Sequence, residues 1–136
     1  MKNQSKYEKI AVIIILLIVM IPTMVLLMVD LSPHKLIINE DTIEVKSKSF
    51  KIEDMESVKL LDDINIESRS GVETFTYVRG TCKIKGEKEK ARVYIYKNKS
   101  PYIRIQFKDG LLIYNDKNSD ETKETYDKLV NEMNKE

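Results

Sequence analysis

Two hydrophobic periods divide this chain. From Ile10 to Val29 it reads IAVIIILLIVMIPTMVLLMV, twenty residues without a charge and with only Pro22 and Thr23 outside the apolar class. At a helical rise of about 1.5 Å per residue this run matches the roughly 30 Å of bilayer hydrocarbon. A buried core helix of this kind would need apolar partners on every side, and the domain that follows is too small to wrap it. Pro22 sits mid-span, where membrane helices tolerate it. The run exceeds the roughly 7–15 residues of a signal-peptide core, and its exit, LLMVDLSPH, offers no small-x-small cleavage site. An uncleaved anchor is the expectation.

After residue 35 the period falls to two. Leu36 and Ile38 share a face, Asn39-Glu40-Asp41 makes a turn, and Ile43 and Val45 return with Glu44 and Lys46 outward. A polar stretch from Lys46 to Ser49 leads to Phe50-Lys51-Ile52. A single acidic turn over 53–57 precedes a strand over Val58–Leu61. Residues 62–73 are polar and predict a long loop. Phe75–Val78 and Thr81–Lys85 predict two strand pieces about Gly80, whose glycine signals a bulge or bend. Residues 86–90 form a polar hairpin turn. Strands then follow over Ala91–Tyr96 and Tyr102–Lys108, and Asp109-Gly110 turns into Leu111–Tyr114. The pattern predicts about seven short strands. The period finally lengthens: Tyr126, Leu129, Val130 and Met133 make one helical stripe, with Asn118 or Ser119 as N-cap and Glu121 completing a capping pattern. The stripe suits a helix that closes one end of a β-structure. The expected organisation is a tail over 1–9, a membrane helix over 10–29, a juxtamembrane linker over 30–35 and a β-domain with its closing helix over 36–136.

Charge adds an orientation. Lys2, Lys6 and Lys9 precede the apolar run, whereas Asp30 and Lys35 follow it. The positive-inside rule puts the N-terminus in the cytoplasm and the domain outside. The net charge of +1 hides a division: ten basic residues against Glu87 and Glu89 between 79 and 108, and seven acidic residues against Lys59 and Arg69 between 53 and 73. The basic residues alternate with apolar ones, as the outward positions of strands do. They could also face anionic lipid or an envelope polymer.

Candidate chemistry is sparse. Cys82 is the single cysteine, so no disulfide framework exists. Thr81-Cys82 with Arg92, on a small β-domain behind a membrane helix, resembles the sortases, transpeptidases that add a histidine to that set. The only histidine, His34, precedes the first strand, and Cys82 and Ile84 alternate with Lys83 and Lys85, which puts the thiol on the apolar face. A buried thiol without a base is inert. Ser32-Pro-His-Lys35 matches Ser-x-x-Lys without companion motifs. There is no HExxH, CxxC or glycine-rich phosphate loop. Asp62-Asp63 lacks a third cation ligand, and a stacking groove for nucleic acid would have to use Tyr94, Tyr96 and Tyr102. We therefore assign no catalytic, cofactor-binding or metal residue, expect no cofactor and expect no nucleic-acid partner.

The stretch FKIEDMESVKLLDD resembles the entry to a bacterial pleckstrin-homology-like domain. Further elements follow in the same order: Arg69 with Gly71, Tyr77-x-x-Gly80, a lysine-rich pair ending in Tyr94-Ile95-Tyr96, Pro101-Tyr102-Ile103-x-Ile105, Asn115, and Thr122-x-x-x-Tyr126-x-x-Leu129. The resemblance spans residues 36 to 133. It implies a PH-like barrel of two bent antiparallel sheets closed by a C-terminal helix. Eukaryotic relatives often bind phosphoinositides through basic residues in the first hairpin loop. Lys46, Lys48 and Lys51 fall in a comparable loop but lack an arginine fork, so that site is not carried over. The expected role is non-enzymatic: a protein or peptide docks at an open sheet edge, or the chain self-associates. Binding of anionic lipid or envelope polymer is the alternative, with the sortase-like transpeptidase a distant third.

Overall fold

The computed structural model describes residues 2–31 and 33–135. The chain forms two units, residues 1–33 and 34–136. The first holds helix α1, Lys2–Leu31, which takes in residues 2–9 of the expected tail. Within it Ser5–Met24 is long and apolar enough to cross a membrane, a property it would share with a signal segment. Its side chains from Ser5 to Met24 are exposed. Pro22 lies inside the helix, and the next residue, Thr23, donates its hydroxyl to the Val19 carbonyl at 2.8 Å. Such side-chain bonds help a membrane helix absorb a proline. Ser32 of the Ser-x-x-Lys match lies outside the described residues.

The second unit is mainly β, in two sheets, with one C-terminal helix. Its strands are β1 (Leu36–Ile38), β2 (Thr42–Val45), β3 (Lys48–Lys51), β4 (Met55–Leu61), β5 (Ile66–Glu73), β6 (Tyr77–Ile84), β7 (Ala91–Tyr96), β8 (Tyr102–Phe107) and β9 (Gly110–Tyr114), followed by α2 (Ser119–Asn134). A three-stranded sheet has the order β1-β2-β3, and a six-stranded sheet the order β4-β8-β9-β7-β6-β5. The expected first hairpin is present, with Leu36 opposite Val45 and Ile38 opposite Ile43.

Three expectations are corrected. The described residues hold nine strands rather than about seven. Residues 66–73 are not loop but the edge strand β5, exposed on both faces except at Ile66 and so without the alternation that betrays a strand. Gly80 does not split its strand: β6 is continuous, and Gly80 lies opposite Gly71 in an unbroken stretch of the β5–β6 register. Both glycines have φ near +144° or +143°. A Cβ on Gly80 would fall 2.2 Å from the Ser70 carbonyl oxygen, and one on Gly71 would fall 2.3 Å from that of Arg79. The pair lets two backbones approach where no side chain fits.

The six-stranded sheet is neither wholly antiparallel nor closed. β9 runs parallel to β7 and antiparallel to β8, and the outer strands β4 and β5 do not pair with each other. Yet those outer strands are joined by only residues 62–65. Laid flat, six strands would hold their outer pair about 24 Å apart, whereas the chain from Leu61 to Ile66 reaches at most about 18 Å. The sheet must roll to let this link close.

Rolling makes two cores. On one face Ile103, Ile105, Phe107, Leu112 and Tyr114 pack with Leu36, Ile43 and Val45 of the small sheet and Leu129 of α2. On the other face Val78, Cys82, Ile84, Ala91, Val93, Ile95, Leu111 and Ile113 form a second cluster, with Ile64 of the link and its flanking residues Leu61 and Ile66 packed against it. The β6–β7 loop leans over the same face. Glu87 receives two bonds from Arg104, at 2.7 and 2.8 Å, and Glu89 accepts from Gln106 at 2.7 Å. The Arg104 hydrogen bonds hold the Glu87 carboxyl below its ordinary range. Helix α2 starts as expected, with Asn118 Oδ1 accepting from the Glu121 N–H at 2.9 Å.

Candidate docking groove

A groove of about 460 Å³ opens between β3 and the larger sheet. β3 is the last strand of its sheet, with β2 on one side only. Its residues Ser49, Phe50 and Lys51 form one wall, and Thr81, Arg92, Gly110 and Leu111 stand across from it. Phe50 stacks on Phe107 with ring centroids 4.8 Å apart and gives the groove an apolar floor. Lys51, Lys90 and Arg92 line it together with Asp54 and Asp109, and among the described residues none of the three cations forms an ion pair. An unpaired strand edge beside an apolar floor and basic walls is suited to an extended peptide, which the edge would bind through main-chain hydrogen bonds.

The structure separates the residues that suggested a cysteine enzyme. Thr81 and Arg92 are opposite each other in register, and both line the groove. Cys82 points to the other face of β6, buried in the second core, and burial pushes its thiol pKa up. A raised pKa keeps the sulfur protonated and unreactive.

His34, expected in the juxtamembrane linker, belongs to the β-domain. It is 3% exposed, packed among the rings of Tyr94, Tyr96 and Tyr114 on the face opposite Cys82. Its Nδ1 accepts from Arg79 Nε at 3.1 Å, which leaves the ring proton on Nε2, 3.0 Å from the Asn115 carbonyl oxygen. Desolvation lowers its pKa to about 4, with Arg79 and Lys46 adding to the fall. The surrounding polar groups are satisfied. Tyr114 accepts from the Leu36 N–H at 2.8 Å and donates to Asp116, which also receives Thr125 at 2.6 Å. Asn115 accepts from the Tyr96 N–H and donates to the Tyr96 and Lys99 carbonyls. The cluster clamps the entry of the chain to β7, β9 and α2.

The other weighed residues do not converge. Lys46 is in the β2–β3 turn, Lys48 is exposed and Lys51 lines the groove. Tyr102 is on the face opposite Tyr94 and Tyr96, so the three rings offer no common stacking platform. Asp63 caps the Ile64 N–H at 2.9 Å, and no group of three potential metal ligands occurs among the described residues. Sequence reasoning missed the groove because Phe50 and Phe107 are 57 residues apart and nothing local marks their stacking. No family model, curated protein or solved structure matches this chain.

Proposed function

We propose that this chain is a single-pass membrane protein with a cytoplasmic N-terminus, whose outer domain is a non-enzymatic, pleckstrin-homology-like docking module. Its ligand is an extended, acidic segment of a partner protein. The segment adds to β3, sets apolar side chains on the Phe50–Phe107 floor and turns carboxylates toward Lys51, Lys90 and Arg92. The observation that carries this reading is the coincidence in one groove of an open strand edge, an apolar floor and three cations that form no ion pair among the described residues. Pleckstrin-homology likeness is supported by the succession of strands and the closing helix, while the parallel β7–β9 pair departs from it.

The test is photo-cross-linking of the intact protein in its own membrane, with the reactive side chain at Ser49 or, as control, at Lys123 on α2. An adduct from Ser49 that disappears in Lys90→Glu/Arg92→Glu, with none from Lys123, is the expected result. An adduct indifferent to those charges, or equal from both positions, would remove the groove as the docking site.

A second reading, binding of anionic lipid or envelope polymer, is favoured by lysines clustered about an exposed aromatic ring at another end of the domain. Binding to anionic vesicles separates the two: attachment that fades with ionic strength but survives Lys90→Glu/Arg92→Glu belongs to the lipid reading, and no attachment removes it.

A further inference from the structure

The β5–β6 connection, residues 74–76, carries Phe75, whose exposure is 101% of the reference value and so complete. The loop is built rather than slack. Thr74 Oγ1 accepts from the N–H groups of Thr76 and Tyr77, each at 3.2 Å, and the Thr74 N–H donates to the Tyr77 carbonyl at 2.9 Å. Behind the ring is a recess of about 550 Å³ lined by Thr76, Tyr96, Lys97, Asn98, Lys99 and Lys117. Lys97 pairs at 2.6 Å with Glu73, a carboxylate that also binds Arg69. Lys99 and Lys117 have no ion-pair partner among the described residues. An aromatic ring held fully in water beside unpaired lysines has the character of an interfacial anchor, apolar at its tip and cationic at its shoulder.

The sequence limits how far this end can be from a bilayer. Val29 closes the uncharged run, and five residues later His34 opens the domain, a tether of at most about 18 Å. His34 donates its N–H to the Tyr96 hydroxyl at 3.2 Å, and Tyr96 lines the recess. The recess therefore belongs to the tethered end of a domain about 33 Å across by its residue count.

We propose that the β5–β6 tip is a lipid-contact site. Phe75 enters the headgroup boundary of the bilayer that holds α1, and Lys99 and Lys117 bind the phosphates of anionic lipids. This goes beyond peptide docking in the groove and rests on the reading of α1 as an anchor.

The chain has no tryptophan, so Phe75→Trp creates a single indole reporter that can be excited apart from the seven tyrosines. The full-length variant is placed in lipid discs of zwitterionic lipid, or of the same lipid with an anionic phospholipid added, with brominated acyl chains as quenchers. The expected result is blue-shifted emission and quenching in anionic discs, weaker in zwitterionic discs and lost with Lys99→Glu/Lys117→Glu. Circular dichroism checks that each variant keeps its fold. Solvent-exposed, unquenched emission in both discs overturns the site. A blue shift without lipid quenching means that the ring meets protein, and overturns it too. Quenching unaffected by anionic lipid and by the lysine changes overturns the headgroup contact. Co-elution of chain and discs reads the anchor separately: a chain that stays outside the discs overturns the anchor and the lipid site together, whereas a chain in the discs with an exposed reporter overturns the lipid site alone.

Discussion

At the scale of single residues, His34 couples stability to pH. Its folded pKa, about 4, lies below the ordinary 6.5. Between those values the unfolded chain takes up a proton that the folded domain refuses, so stability falls as pH drops through the window. The limiting loss is about 3 kcal/mol. Denaturant midpoints measured from pH 7 to 4 should fall accordingly, and His34→Gln should flatten that slope, while the loss from the Glu87–Arg104 pair comes only at lower pH, below the ordinary carboxylate range. Gly80→Ala meets a different obstacle, since the new methyl group would strike the Ser70 carbonyl and the residue would keep a positive φ. A cost of about 3 kcal/mol or more is expected in thermal or chemical unfolding. A loss below 1 kcal/mol would mean that the two strands separate easily at this point. Neither residue could be assigned from sequence. A lone histidine after a proline says nothing of the three tyrosines it will meet. Gly80 marks a special backbone position equally well whether the reason is a bend or a close partner, and the partner, Gly71, lies in a polar stretch whose pattern predicts a loop.

At the scale of elements, alternation was a reliable guide wherever one face of a strand is buried and the other is not. β1, β2, β7 and β8 are legible for that reason, β9, buried on both faces, only from the Asp109-Gly110 turn before it, and the same alternation puts Cys82 on the apolar side, where the structure has it. β5 was illegible because seven of its eight residues are exposed, so the sheet edge gives it no amphipathic signature. The parallel contact of β7 with β9 was beyond reach as well. Consecutive strands separated by short turns imply antiparallel neighbours, and the β8–β9 hairpin instead inserts its second strand beside β7. Helix α2 is legible to within one residue of its cap, Asn118 or Ser119, because the cap is a local chemical event, and the structure has Asn118. Asn118→Ala removes the bond to the Glu121 N–H and should lower the unfolding free energy by about 1 kcal/mol, with Asn118→Ser restoring most of it. No loss in the alanine variant would show that water replaces the side chain without cost.

At the scale of the whole molecule, the reading depends on an N-terminal helix that holds a β-domain at a membrane. Ser5–Met24 has the length and composition for this. With the N-terminus in the cytoplasm, protease added to intact cells should digest residues beyond the span, and a membrane-impermeant thiol reagent should label Ser49→Cys but not Lys2→Cys. The reverse labelling would put the docking groove in the cytoplasm and exchange its candidate partners for cytoplasmic ones. The groove itself was foreshadowed only as an unspecified open sheet edge, because it is created by two sheets meeting rather than by any one segment.

The four-residue connection between β4 and β5 has a consequence for how this protein could be altered. It acts as a hoop: lengthened by a flexible insert after Asp62, it would let the curved sheet spring open and wet the side chains around Cys82. The thiol would then become a built-in gauge of curvature, and the groove on the opposite surface, whose far wall of Thr81, Arg92, Gly110 and Leu111 belongs to the same sheet, would change shape with it.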